Sequence, residues 1–243
     1  MNGRAKFEQD LNAIVDRLTK DLQTDAREKL YNLKEWLLKL QKENVVKINH
    51  SVMELVVAKY LVLKGYDVQL EYSLSELLTC DLYSTKGFGN LIVEIETGFI
   101  PPDHALNPIT YTSARLASKI IRYSSYAGKF AIGVPPHYVL PFPRALASPP
   151  KRRRQEDIEF IKNLCDLYYH NPPVTEDEIR NARIHAVYII DVDQGKVQEI
   201  DPDTYIKRGL QKEFTFPYQG EGLAKSRRTI TLLDYQQENE GPA

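Results

Sequence analysis

The chain has 243 residues, 42% of them hydrophobic and 27% charged, with a net charge of −1, two cysteines and no apolar run near the ~18 residues that a membrane span requires. Those values predict a soluble globular protein with one large domain or a core domain with additions, and they exclude a disulfide framework and a transmembrane helix. The charged N-terminus has no apolar signal core, so the expected location is intracellular and cytoplasmic.

Phe7, Leu11, Ile14, Leu18 and Leu22 recur at helical spacing and predict a first helix over residues 5–23. Asp25 and Glu28 have the spacing of a capping box that restarts a helix. Ala26, Leu30, Leu33, Leu37 and Leu40 follow in a 4-3-4-3 rhythm, a short coiled-coil-like seam that could pack on the core or on a second copy. Residues 1–47 therefore read as an N-terminal helical arm.

A helix from about Asn49 to Lys64 presents Val52, Leu55, Val56, Tyr60 and Leu63, and Gly65 supplies a stop. Strands are predicted over Asp67–Leu74, Cys80–Ser84 and Asn90–Phe99, with Gly87-Phe88-Gly89-Asn90 as a turn and Pro101-Pro102 as a terminator. Tyr111–Ala127 reads as a helix and Phe130–Val134 as a strand. Residues 48–135 thus form a core ordered helix, three strands, helix, strand. Six prolines between Pro135 and Pro150 mark an extended basic loop over 136–154. A helix from Gln155 to Tyr169 follows, then a shorter one capped by Thr175 and Glu178. Ile184–Asp191 and Lys196–Ile200 flank the hairpin signal Asp193-Gln194-Gly195, giving a C-terminal α+β addition over 155–208. Residues 209–243 are polar and weakly patterned, with one further strand expected at Thr229–Leu233.

The most informative stretch is Leu91-Ile92-Val93-Glu94-Ile95-Glu96. Its apolar, β-branched character predicts a central strand covered on both sides, and alternation puts Glu94 and Glu96 on one face. Two neighbouring carboxylates in a half-buried place require a cation, a metal or protonation to offset them. The charge distribution supplies a second signal. From His104 to Gln155 there is no acid, while Arg115, Lys119, Arg122, Lys129, Arg144 and the run Lys151, Arg152, Arg153, Arg154 give nine basic residues. Such a stripe on a molecule that is otherwise acidic is an electrostatic footprint for phosphate. Arg115, Lys119 and Arg122 share one helical face, leaving Leu116 and Ile120 to pack on the sheet. His50 lies one turn before Glu54 and could flank a site there. His104, His137, His170 and His185 share no metal-ligand spacing.

The element order, with an acid on the first core helix and on the second and third strands, resembles the PD-(D/E)xK nuclease superfamily, the restriction-endonuclease-like fold. His50-Ser-Val-Met-Glu54, Ala58 and Leu63-Lys-Gly-Tyr-Asp-Val68 look like the opening of archaeal Holliday-junction resolvases. The resemblance covers residues 50–135 and implies an α/β fold, a mixed central sheet and a metal-dependent DNA endonuclease. Glu54 matches the helix acid, Asp81 the metal-binding Asp, and Glu94 the variable acid. Cys80 replaces the proline of the family name, and Glu96 stands where the motif lysine belongs, as it does in some type II restriction enzymes.

Phosphodiester hydrolysis needs a hard cation to stabilise phosphate charge and activate water. The resemblance gives Mg²⁺ or Mn²⁺ to the carboxylates of Asp81 and Glu94, with the Ile95 carbonyl as third ligand. Glu54 orients a water, and Glu96 acts as base or as ligand of a second ion. Lys119 reaches the lysine's place from the helix, and Lys119 with Tyr123 resembles the glutamine–tyrosine pair of exonuclease-type members. DNA is the implied partner, contacted through Arg115, Arg122 and Lys151 to Arg154, and a homodimer is the implied state. Two rival readings remain: an inactive member that binds DNA or protein, favoured by Glu96, and an assembly protein using its N-terminal helices.

Overall fold

The computed structural model describes residues 3–43, 46 and 48–210. Within them the chain is mixed α/β: seven α-helices cover a six-stranded sheet in the order β1-β2-β3-β4-β5-β6. The strands are β1 (Asp67–Ser75), β2 (Leu78–Lys86), β3 (Gly89–Ile95), β4 (Lys129–Val134), β5 (Ala186–Asp191) and β6 (Lys196–Ile200). The first three are joined by hairpins and pair antiparallel. β3–β4 and β4–β5 pair parallel, which requires crossovers, and β5–β6 is again antiparallel. The C-terminal hairpin therefore continues the core sheet.

The helices α1 (Gly3–Thr19), α2 (Thr24–Lys42) and α3 (Ile48–Leu63) cover one face. Phe7, Leu11, Leu30, Leu37, Leu55, Leu61, Leu82, Val93 and Ile95 form a continuous apolar layer there. The α2 seam packs on this core: Leu30 and Leu37 are fully buried, each removal from water contributing roughly 1.5–3 kcal/mol. Helix α3 is buried nearly all round, and Leu63 turns to solvent instead of joining its apolar face. Its end is a Schellman motif. Tyr66 N–H donates to Leu61 O and Gly65 N–H to Val62 O, with Gly65 at φ +80°.

The other face is covered by α4 (Pro108–Tyr123), α5 (Gln155–Asp166), α6 (Glu176–Asn181) and α7 (Pro202–Leu210). Leu116, Ile120, Phe130, Ile132, Ile158, Ile161 and Tyr205 fill that layer. The proline-rich segment does not hang free. Leu140, Phe142 and Leu146 are buried in it, and Leu140 N–H donates to the Tyr205 hydroxyl at 2.9 Å. Helix α7 has no counterpart in the sequence-based expectations.

The structure differs from those expectations at several ends. No capping box opens α2, because the helix starts at Thr24 with Gln23 as N-cap. Asp25 thus lies inside the first turn, where it pairs with Lys29. The box of Thr175 and Glu178 does form. β3 ends at Ile95, not Phe99, and beyond it Gly98 takes φ +79°. α4 runs from Pro108 to Tyr123 and α5 stops at Asp166, each ending before the predicted residue. The expected strand at 229–233 lies outside the described residues. Among the described residues no helix is long and apolar enough to cross a membrane.

Candidate functional site

β3 is covered on both faces: Leu91, Val93 and Ile95 enter the layer under α1–α3, and Ile92 enters the opposite one. Glu94 and Glu96 share that opposite face, under α4, and both are buried. The cations that offset them come from α4. Lys119 Nζ is 2.9 Å from Glu94 Oε2 and 2.8 Å from Glu96 Oε1, and Arg115 Nη2 is 2.6 Å from Glu96 Oε2. Arg115 also donates to Phe99 O at 2.8 Å.

Between β2 and β3 the sheet forks. Their ladder stops at Leu82↔Val93, while β2 stays paired with β1 as far as Leu78. The amides exposed by the split are taken by carboxylates of the facing strand: Asp81 N–H donates to Glu94 Oε1 at 3.0 Å, and Ile95 N–H donates to Asp81 Oδ2. Buried amides need partners, so the fork fixes both side chains in place. Ile95 thus contributes its N–H to the site.

Glu54 comes to the fork from α3. It is completely buried, and neither carboxylate oxygen has a hydrogen-bond partner among the described residues. One of its oxygens, a carboxylate oxygen of Asp81 and a ring nitrogen of His50 all lie within 4.8 Å of one another. Burial, reinforced by the charges of Asp81, Glu71 and Glu94, holds Glu54 well above the usual carboxylate range.

No protein-family profile, curated protein or solved structure matches this chain.

The site must therefore be read from its own chemistry. Five carboxylates (Glu54, Glu71, Asp81, Glu94, Glu96) meet two cationic side chains, Lys119 and Arg115. Burial and Asp81 push Glu94 up to about 8 against the pull of Lys119. Partial burial and Asp81 push Glu71 up to about 7, again against Lys119. Burial opposes charge on Lys119, but Glu94, Glu96 and Asp81 outweigh it and hold the ammonium well above its ordinary value. A site this acidic takes up protons or a cation. Oxygen donors with one imidazole suit a hard or borderline divalent ion. Tyr123 borders the site, its hydroxyl donating to Thr79 O at 2.9 Å, and burial raises its pKa.

The basic residues divide sharply. Arg153 is buried, and its guanidinium donates to the carbonyls of Ala145, Ser148, Ile179, Arg180 and Ala182. It ties the proline-rich segment to α6 and offers nothing to an outside phosphate. Arg154 is the N-cap residue of α5 and pairs with Asp157 and Glu156, acids that also offset the unfavourable placement of a cation at a helix start. Arg122 donates to Pro172 O at 2.6 Å. Lys151 and Arg152 are exposed and make no ion pair among the described residues.

Glu71 was invisible to periodicity. Val68, Leu70, Tyr72 and Leu74 alternate without interruption, yet Val68 and Leu70 pack under α1–α3 while Tyr72 and Leu74 pack on the other side. The face switches at Glu71, which has φ +50°. His50 carried only the hint of lying one helical turn from Glu54.

Proposed function

We propose that the chain is a divalent-cation-dependent nuclease that hydrolyses phosphodiester bonds in DNA, built on a restriction-endonuclease-like core. The observation that carries this reading is the Glu54 carboxylate, wholly buried, unpartnered and facing Asp81 and His50. A buried carboxyl whose two oxygens both lack a hydrogen-bond partner is costly, and an ion bound there would account for it. The succession α3-β1-β2-β3-α4-β4 and the positions of Glu54, Asp81 and Glu94 on it support the same family resemblance.

Asp81, Glu54 and His50 would hold the ion, Mg²⁺ or Mn²⁺, with Glu94 and the Ile95 carbonyl beside them. When bound, it supplies Lewis-acid stabilisation of phosphate charge and a water of lowered pKa. Lys119 stands between Glu94 and Glu96, where its ammonium meets charge developing on a phosphate oxygen. Glu96, paired with Arg115 and Lys119, is an acceptor for a proton from the attacking water. Lys151 and Arg152 are exposed cations available to the DNA backbone, and a homodimer would address both strands.

One observation favours a second reading, an inactive nuclease-fold protein that binds DNA or a protein partner. Lys119 and Arg115 already satisfy Glu94 and Glu96 as an internal ionic ladder. Supercoiled, linear, single-stranded and branched DNA, each incubated with Mg²⁺, Mn²⁺ or EDTA, separates the two. Cleavage that requires the cation and disappears in Asp81→Asn supports the enzyme. Cation-independent binding without cleavage of any substrate supports the second reading.

A further inference from the structure

Among the described residues β1 is an edge strand, paired only with β2. Leu70 pairs with Leu82 and Tyr72 with Cys80, so Glu71 stands across from Asp81 at the mouth of the fork. Its backbone has φ +50°, a left-handed conformation that costs an ordinary L-residue roughly 1–2 kcal/mol. Glycine would take that conformation without cost, and a glutamate stands there instead. The left-handed residue reverses the strand's faces and leaves the Glu71 side chain half-buried across from Asp81, outside the His50–Glu54–Asp81 group whose ligand atoms lie within 4.8 Å of one another. There it accepts no hydrogen bond and forms no ion pair among the described residues. Its electrostatic neighbours are Asp81 and Lys119, and its own charge acts on Glu54.

The carbonyl just before the reversal is held from outside the sheet. Trp36 of α2 donates its indole Nε1–H to Leu70 O at 2.9 Å. The N-terminal helical arm thus reaches the backbone carbonyl immediately before Glu71. Glu54 supplies an independent sign that a ligand belongs here, since both its oxygens are buried and unpartnered at the same fork.

We propose that Glu71 is a further ligand of the divalent cation held by Glu54 and Asp81, and that Trp36 is a positioning residue that fixes the left-handed turn presenting it. The proposal rests on the cation-dependent reading above and extends its ligand set to a strand and a helix outside the recognisable motif. It makes α2 part of the site's support.

Mn²⁺ titration calorimetry on the full chain tests it, together with thermal melting in EDTA. Glu71→Gln, nearly isosteric, should bind Mn²⁺ at least roughly tenfold more weakly than wild type. Glu71→Gly should lose affinity to the same degree yet melt higher than wild type in EDTA, because it relieves the backbone and removes a carboxylate from an acidic site. Trp36→Phe keeps an aromatic ring but lacks the indole donor, and should show an intermediate loss of affinity. Wild-type affinity in Glu71→Gln and Glu71→Gly, with binding abolished in Asp81→Asn, would overturn the role of Glu71 and leave the cation site standing. Wild-type affinity in Trp36→Phe would overturn the positioning role. Absence of Mn²⁺ binding by the wild type would overturn the proposal along with the reading on which it rests.

Discussion

The ammonium of Lys119 stands 2.8 Å from Oε1 of Glu96, the residue that occupies the place of a motif lysine. The charge missing from the strand arrives from the helix that covers it. Lys119 bridges Glu94 as well, and both carboxylates are buried. Removing the lysine leaves Glu94 without a cation and Glu96 with Arg115 alone, in a place with little water. Lys119→Ala should therefore destabilise the fold by about 3–5 kcal/mol, the usual cost of breaking a buried pair from one side. Adding Glu94→Gln to Lys119→Ala should recover part of that loss. Urea unfolding of the two variants checks both figures, and equal stability of Lys119→Ala and wild type would show that the bridge is only incidental.

This bridge is legible in the sequence because its elements follow strong patterns. The strand that carries Glu94 and leads into Glu96 is apolar and rich in β-branched residues, and α4 has an apolar face that leaves Arg115 and Lys119 together. Hairpin and cap chemistry was equally plain at Gly195 and at Thr175 with Glu178. What sequence could not show depends on exceptions to periodicity. Glu71 takes a glycine-like backbone angle within an unbroken alternation. The β2–β3 fork needs no special residue, only carboxylates able to accept the released amides. Arg153 looks like its neighbours in a basic run, yet it is the one folded inward to bind carbonyls. Such choices are made by tertiary packing, which local pattern does not encode.

The acids at the fork set a pH dependence of known sign. Burial raises Glu71 from its ordinary value of 4.5 to about 7 and Glu94 to about 8. A folded-state pKa above the unfolded one means that the folded protein binds more protons between those values, so stability falls as pH rises through them. Without divalent cations the melting temperature should therefore drop progressively from about pH 4.5 to pH 8. Mn²⁺ should restore it most at the upper end, where the ligands are ionised. Melting scans across that range, with Mn²⁺ or with EDTA, give the answer. A cation effect that is larger at pH 5 than at pH 8 would rule out carboxylate ligation.

The basic run should separate into structure and contact. Arg153→Ala removes a guanidinium that satisfies five carbonyls in a buried place, and should cost about 3 kcal/mol or more. Lys151→Ala and Arg152→Ala should alter stability by no more than about 0.5 kcal/mol, as expected of exposed positions. If these two meet DNA phosphates, the double variant should bind more weakly, and the slope of log K against log salt should fall by about 2. Fluorescence anisotropy at several salt concentrations measures that slope. An unchanged slope would assign the pair to a solvated surface.

Asp81 has two tasks that substitution can separate. One oxygen accepts Ile95 N–H across the fork, and the carboxylate also lies within ligand distance of Glu54 and His50. Asp81→Asn keeps an acceptor for the amide and loses the negative charge, so it should fold with nearly wild-type stability while Mn²⁺ binding disappears. Asp81→Ala loses the acceptor as well and leaves a buried amide unsatisfied, which should cost a further 1–3 kcal/mol or so. The difference between the two variants in urea is the contribution of the amide cap. Their shared loss of Mn²⁺ binding in calorimetry is the contribution of the charge. If Asp81→Asn were as destabilised as Asp81→Ala, the asparagine would not be capping the fork. If Asp81→Asn still bound Mn²⁺ as wild type does, Asp81 would be a structural brace alone, and the cation would have to be held without it.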